Sequence, residues 1–88
     1  MAYTVYILCS KKDRRLYVGC TSNISERLKR HQRGQVQATV NRRPLDLIHT
    51  EQFESITDAF NRERFLKSLW GARKKKKILL EWIKNMPS

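Results

Sequence analysis

Six consecutive residues near the start of the chain, Thr4-Val5-Tyr6-Ile7-Leu8-Cys9, are rich in β-branched, aromatic and aliphatic side chains, with no charge and no turn former among them. Successive side chains of a strand point to opposite faces, so a run without polar alternation reads as a strand buried on both. Ser10 to Arg14 is a polar turn, and Arg15-Leu16-Tyr17-Val18-Gly19-Cys20-Thr21 is a second strand of similar length. Two short strands joined by such a turn predict an antiparallel hairpin. Gly19 has no side chain to pack, and a glycine inside a strand marks a bulge or a place where another group comes close.

A helix follows directly. Asn23 can cap it, with Glu26 three residues on to complete a capping box. Ile24 and Leu28 form its apolar stripe, and Gly34 is the stop signal. Residues 35–44 show no periodicity and read as a polar, basic loop. Leu45 to Glu51 alternates only partly but reads as a third strand leading into Phe53. Ser55 with Asp58 opens a second helix, expected to run to Trp70 with Gly71 as its stop. A third helix from Arg73 to Asn85 buries Ile78, Leu79, Trp82 and Ile83. The order β-β-α-β-α-α makes an α+β fold, and residues 1–88 form one domain.

Nineteen Lys and Arg against eight Asp and Glu give a net charge of +11, which points to a polyanionic partner, most readily nucleic acid. Residues 1–44 hold ten basic and two acidic side chains, residues 45–88 nine and six, so the first half carries most of the excess. Cys9 and Cys20 are too few and too far apart for a zinc site and read as free, largely buried thiols. No apolar run approaches the roughly 18 residues of a membrane span, and the N-terminus lacks the features of a signal peptide. A cytoplasmic protein, monomeric and away from membranes, is the expectation.

At about 100° per residue, Ile56, Ala59, Phe60, Leu66 and Trp70 share one face of the second helix, with Glu63 in the middle of that stripe. A carboxylate there is either paired with Lys67 at i+4, at an edge that reaches water, or lining a cleft and available to a hard divalent cation. Arg27 and His31, also four apart, border the stripe of the first helix, and guanidinium with imidazole makes a phosphate-facing set. Tyr6 and Tyr17 lie mid-strand. A phenol with its ordinary pKa near ~10 is a poor base at neutral pH unless nearby cations lower that value.

Taken in order, Thr4-Val5-Tyr6, Tyr17-Val18-Gly19, Arg27, His31 and Glu63 resemble the GIY-YIG nuclease superfamily, in particular its short stand-alone bacterial members. Thr4-Val5-Tyr6 stands for the first half-motif and Tyr17-Val18-Gly19 for the second. Thr39 and Arg42-Arg43-Pro44-Leu45 look like the connector of the short members. The resemblance implies a small three-stranded antiparallel sheet flanked by helices. It implies Tyr6 as general base toward water, Tyr17 hydrogen-bonding in the same site, Arg27 stabilising charge on the scissile phosphate and His31 assisting. Gly19 lets the strand pack close to the site. Glu63 would hold one divalent ion, Mg²⁺ or Mn²⁺, and the positive charge at Arg27 and that ion would lower the pKa of Tyr6.

The implied reaction is metal-dependent hydrolysis of phosphodiester bonds, with DNA favoured over RNA and little sequence specificity. The remaining cations, Lys11, Lys12, Arg14, Arg15, Arg42, Arg43 and the run Arg73, Lys74, Lys75, Lys76 and Lys77, would form a track for the nucleic-acid backbone. Two departures from the family pattern motivate an alternative, a nucleic-acid-binding module with weak or no catalysis. Cys20 replaces a lysine that often follows the second half-motif. A basic stretch, with Lys75 nearest, replaces an asparagine beyond the glutamate.

Overall fold

The computed structural model describes residues 2–86. Strands β1 (Tyr3–Ser10) and β2 (Leu16–Thr21) form the hairpin and lead into helix α1 (Ile24–Gln32). Strand β3 (Leu45–Phe53) and helices α2 (Ile56–Lys67) and α3 (Ala72–Lys84) complete the fold. The sheet is antiparallel with order β2-β1-β3. The unbroken apolar run is therefore the central strand, with one helical layer over each face. Tyr6 and Leu8 pack with Leu45 beneath Ile24 and Leu28 of α1. Val5, Ile7 and Cys9 pack with Val18 and Ile48 beneath Ala59 and Leu66 of α2 and Ile78 of α3.

The imperfect alternation of β3 has a structural cause. Ile7 pairs with His49, but Leu8 pairs with Leu47, so Ile48 is an extra residue in the ladder. Such a bulge reverses which side chains face which layer. Leu45 and Leu47 join the α1 side while Ile48 joins the α2–α3 side. Both cysteines are free; Cys9 is buried and Cys20 half-buried. Among the described residues no helix is long and apolar enough to cross a membrane.

Asn23 caps α1 by accepting the Glu26 N–H at 3.1 Å, and Ser55 caps α2 by accepting the Asp58 N–H at 3.3 Å. The Asn23 N–H donates to Thr21 Oγ1 at 3.1 Å, so Glu26 is not needed to close a reciprocal box. Gly34 lies just past the end of α1 with φ +80°, where a side chain would be strained.

Helix α2 ends at Lys67, short of the expected Trp70. The Ser68 hydroxyl and N–H both donate to Phe65 O, at 2.6 and 3.0 Å, and the Gly71 N–H donates to Ser68 O at 3.1 Å. Gly71 is pressed against the last turn of α2, where a Cβ would overlap Phe65 O and lie 2.6 Å from Leu66 Cα. It closes the corner between the two helices rather than stopping α2. In consequence Trp70, expected on the buried stripe, is 84% exposed, and Leu69 is 93% exposed.

Candidate active site

Edge strand β2 positions the site. Tyr6 lies opposite Gly19 in the hairpin register, and its ring crosses the glycine toward the free edge of the sheet. Helix α1 covers this face and sets His31 above the phenol: Tyr6 Oη and His31 Nε2 are 2.9 Å apart. His31 Nδ1 is in turn 2.7 Å from the hydroxyl oxygen of Thr39. Tyr6, His31 and Thr39 are all fully buried. Tyr17 completes the cluster, its ring centroid 6.2 Å from that of Tyr6 and 5.1 Å from that of His31, edge-on to the imidazole.

The environment moves both titrating groups away from charge. Burial pushes the Tyr6 phenol well above its ordinary value, with Tyr17 adding to the effect and Arg27 opposing it. Arg27 pulls the Tyr6 pKa down as expected, but burial outweighs it and the net shift is upward. Removing the ring from water costs the phenolate more than one half-buried guanidinium returns. Burial pushes His31 below its ordinary value, and the neighbouring charges of Arg27 and Arg30 push it the same way. The imidazole is therefore neutral at neutral pH.

The lowered His31 value has a consequence for stability. A histidine whose pKa is lower in the folded chain binds its proton more readily when unfolded, so folding stability falls as pH drops through the unfolded value near 6.5. Denaturant unfolding at pH 7.5 and 5.5 is expected to show the loss, and His31→Gln should flatten it. An equal loss in wild type and variant would place the effect elsewhere.

Glu63 reaches the edge from the opposite layer. Arg62 anchors this part of α2 to β3, donating from Nε to Glu51 Oε1 at 2.8 Å and from Nη2 to Oε2 at 3.1 Å. Glu51 Oε2 also lies 2.7 Å from His49 Nε2. Burial pushes the Glu51 carboxyl up, but the hydrogen bonds from Arg62 and His49 outweigh it and hold the group below its ordinary range. The Glu63 side chain is 18% exposed, and its Oε2 accepts from Lys67 Nζ at 3.0 Å, the intrahelical pair that the i+4 spacing allows. Ile56 and Phe60, assigned to a buried stripe by periodicity, are instead about half exposed. They line a depression of about 210 Å³ together with Cys20, Thr21 and Arg27. Cys20 lies between the two layers: burial raises its thiol, Glu63 adds to that, and Arg27 and Lys67 oppose it.

The site thus has two halves astride β2. Tyr6 of β1 and Tyr17 of β2 face His31 and Arg27 of α1, and Glu63 belongs to α2 in the other layer, where its charge acts on Cys20. Among the described residues no group of three or more His, Cys, Asp or Glu side chains is placed to hold a metal ion. A single carboxylate suits Mg²⁺, which keeps most of its waters and is held by one or two carboxylates with substrate phosphates.

The basic residues divide. Lys11 is paired with Asp46 at 3.5 Å. Arg43 is a brace, donating to Val40 O at 3.0 Å and Gln32 O at 3.3 Å over Gly34. Lys12 and Lys74 are exposed. Arg73, Lys76 and Lys77 line one side of α3 with Glu81 and Lys84, whereas Arg14, Arg15, Arg42, Lys75 and Lys76 line a different cleft. Helical spacing spreads the run over two depressions that share Lys76.

The order of these side chains has a counterpart among known proteins. The family model of the GIY-YIG catalytic domain matches residues 2–77. The chain belongs to the GIY-YIG family. Within this family it is 40% identical over 75 residues to a UPF0213 protein of Natronomonas pharaonis, covering 84% of this chain and 87% of the relative. It is 41% identical over 86 residues to a UPF0213 protein of Syntrophus aciditrophicus, covering 94% and 91%. The short GIY-YIG relatives thus include archaeal as well as bacterial proteins. The solution NMR structure of a UPF0213 protein from Bacillus halodurans superposes with a TM-score of 0.56 at 33% identity, covering 91% of this chain and 85% of that one. The GIY-YIG fold read from the two half-motifs is therefore the fold observed. In the sequence Thr39 stands out only as part of a connector; its contact with His31 crosses a loop without periodicity, which no spacing rule reveals.

Proposed function

We propose that this protein is a divalent-metal-dependent endonuclease that hydrolyses nucleic-acid phosphodiester bonds, DNA in preference to RNA, with little sequence specificity. The observation that supports it most is the contact of Tyr6 Oη with a buried, neutral His31 beside Arg27. A phenol with a raised pKa is a weak base alone but a good relay. As a water oxygen bonds to phosphorus, its proton passes to Tyr6 Oη while the phenolic proton passes to His31 Nε2. His31 then carries its other proton on Nδ1, directed at Thr39 Oγ1. The bond from phosphorus to the leaving oxygen breaks, and that oxygen takes a proton from solvent. Arg27 offsets charge developing on the phosphate. Glu63 is the residue that would hold the divalent ion, which supplies further positive charge at the phosphate when bound.

One observation favours the alternative of binding without hydrolysis: the Glu63 carboxylate is already engaged by Lys67. The deciding experiment is a nicking assay on single-stranded, branched and duplex DNA, with Mg²⁺ or Mn²⁺ and with the metal chelated. Nicking that needs metal supports the nuclease. Salt-sensitive binding with no nicking in either metal would establish the binding module instead. Nicking that persists after chelation would refute the metal role of Glu63.

A further inference from the structure

Leu69 and Trp70 are the most exposed of the large apolar side chains among the described residues, at 93% and 84%. They are not on a loose segment. The Ala72 N–H donates to Leu69 O at 3.2 Å, the Gly71 N–H to Ser68 O at 3.1 Å, and Gly71 is locked against α2. An indole held in water at a rigid corner adds nothing to the core, since it buries little area.

Two residues beyond Trp70, Ala72 lines a cleft of about 420 Å³ between the hairpin turn and α3. Arg14, Arg15, Arg42, Lys75 and Lys76 line the same cleft around Leu16 and Leu79, with no acidic residue among them. Of these cations only Arg15 forms an ion pair among the described residues, with Asp13 at 3.8 Å, and Arg42 also acts on the Asp13 carboxyl from farther away. Leu16 is the first residue of β2, and Gly19 at the candidate active site lies three residues along the same edge, about 10 Å at the ordinary strand rise.

From this we infer that the cleft and Trp70 form a binding site for an unpaired nucleic-acid strand, the cations taking its phosphates and the indole stacking on a base. This rests on the nucleic-acid reading above and deepens it by naming the substrate class as single-stranded or frayed. Charge selects this occupant over an apolar protein surface: the cleft holds five cations and no acid, and the exposed indole stands two residues before Ala72 on its lining, a backbone-plus-base combination that suits single strands. A base in a duplex is already stacked on its neighbours, so only an unpaired base gains from Trp70.

The test is the affinity of the full-length protein for a short single-stranded DNA and for the same sequence as a blunt duplex, measured in EDTA so that no hydrolysis intervenes. Trp70→Leu keeps an apolar side chain without the aromatic face, and Trp70→Phe keeps a smaller ring. Trp70→Leu is expected to weaken single-strand binding about tenfold and Trp70→Phe far less, with duplex affinity the same in all three proteins. Arg42→Ala or Lys75→Ala should weaken both DNAs and each reduce the salt slope by about 1. Equal loss on both DNAs with Trp70→Leu, or no loss, overturns the stacking site. A change in the sedimentation of the free protein with Trp70→Leu also overturns it, by assigning the corner to self-association. If the wild type binds neither DNA at low salt, it is the nucleic-acid reading that fails.

Discussion

Tyr6→Phe is expected to lower metal-dependent nicking by about 10²–10⁴-fold, the range that one general base contributes. The substitution removes a single oxygen from a fully buried ring, so the shape of the core is preserved. What is lost is the link between the attacking water and His31 Nε2, now 2.9 Å from Oη. The same change leaves the imidazole nitrogen without its buried partner, a cost of about 1–3 kcal/mol. The two effects separate by measurement. Single-turnover nicking should fall by orders of magnitude at a temperature where denaturant unfolding shows the variant still folded. Activity within a few-fold of wild type would remove Tyr6 from the reaction.

Gly19→Ala is expected to damage both the fold and the site. A Cβ at this position would overlap Cζ and Oη of Tyr6 and lie 2.8 Å from Cε1. Gly to Ala in a strand ordinarily gains about 0.5–1 kcal/mol. Here overpacking, at about 1–3 kcal/mol, outweighs that gain. The Tyr6 ring has little room to yield, because it is fully buried and its hydroxyl is joined to His31. Movement of β2 away from the ring, or of the ring away from the imidazole, would each lengthen the Tyr6–His31 contact. Unfolding midpoint and nicking rate are therefore expected to fall together. A stable variant with wild-type nicking would show that the close packing at Gly19 is not required.

These two positions also show how far local pattern carries. The register that sets Tyr6 opposite Gly19 is decided by the strand pairing itself, whereas the half-motifs around the two residues are legible because a hairpin needs only two neighbouring strands and a turn. The caps at Asn23 and Ser55 are legible for the same reason, since the hydrogen bond spans three residues. Periodicity shows Glu63 as a carboxylate in an apolar stripe, but only Ala59 and Leu66 of that stripe are buried. Ile56 and Phe60 line a depression at the sheet edge, and periodicity does not distinguish a face that meets the core from one that meets a cleft.

The sequence by itself determined the hairpin, the order β-β-α-β-α-α and the types of side chain that could carry phosphodiester chemistry. These follow from local geometry and from spacing along the chain. Tertiary structure decided the rest. Burial of Tyr6, which pushes its pKa up against the pull of Arg27, depends on helix α1 covering one face of β1 while β3 flanks it in the sheet. The Thr39 contact depends on a loop folding back on α1, and the exposure of Trp70 on a glycine packed against the helix before it. Solvation and contact between distant segments set these properties, and neither is encoded in the spacing of neighbours.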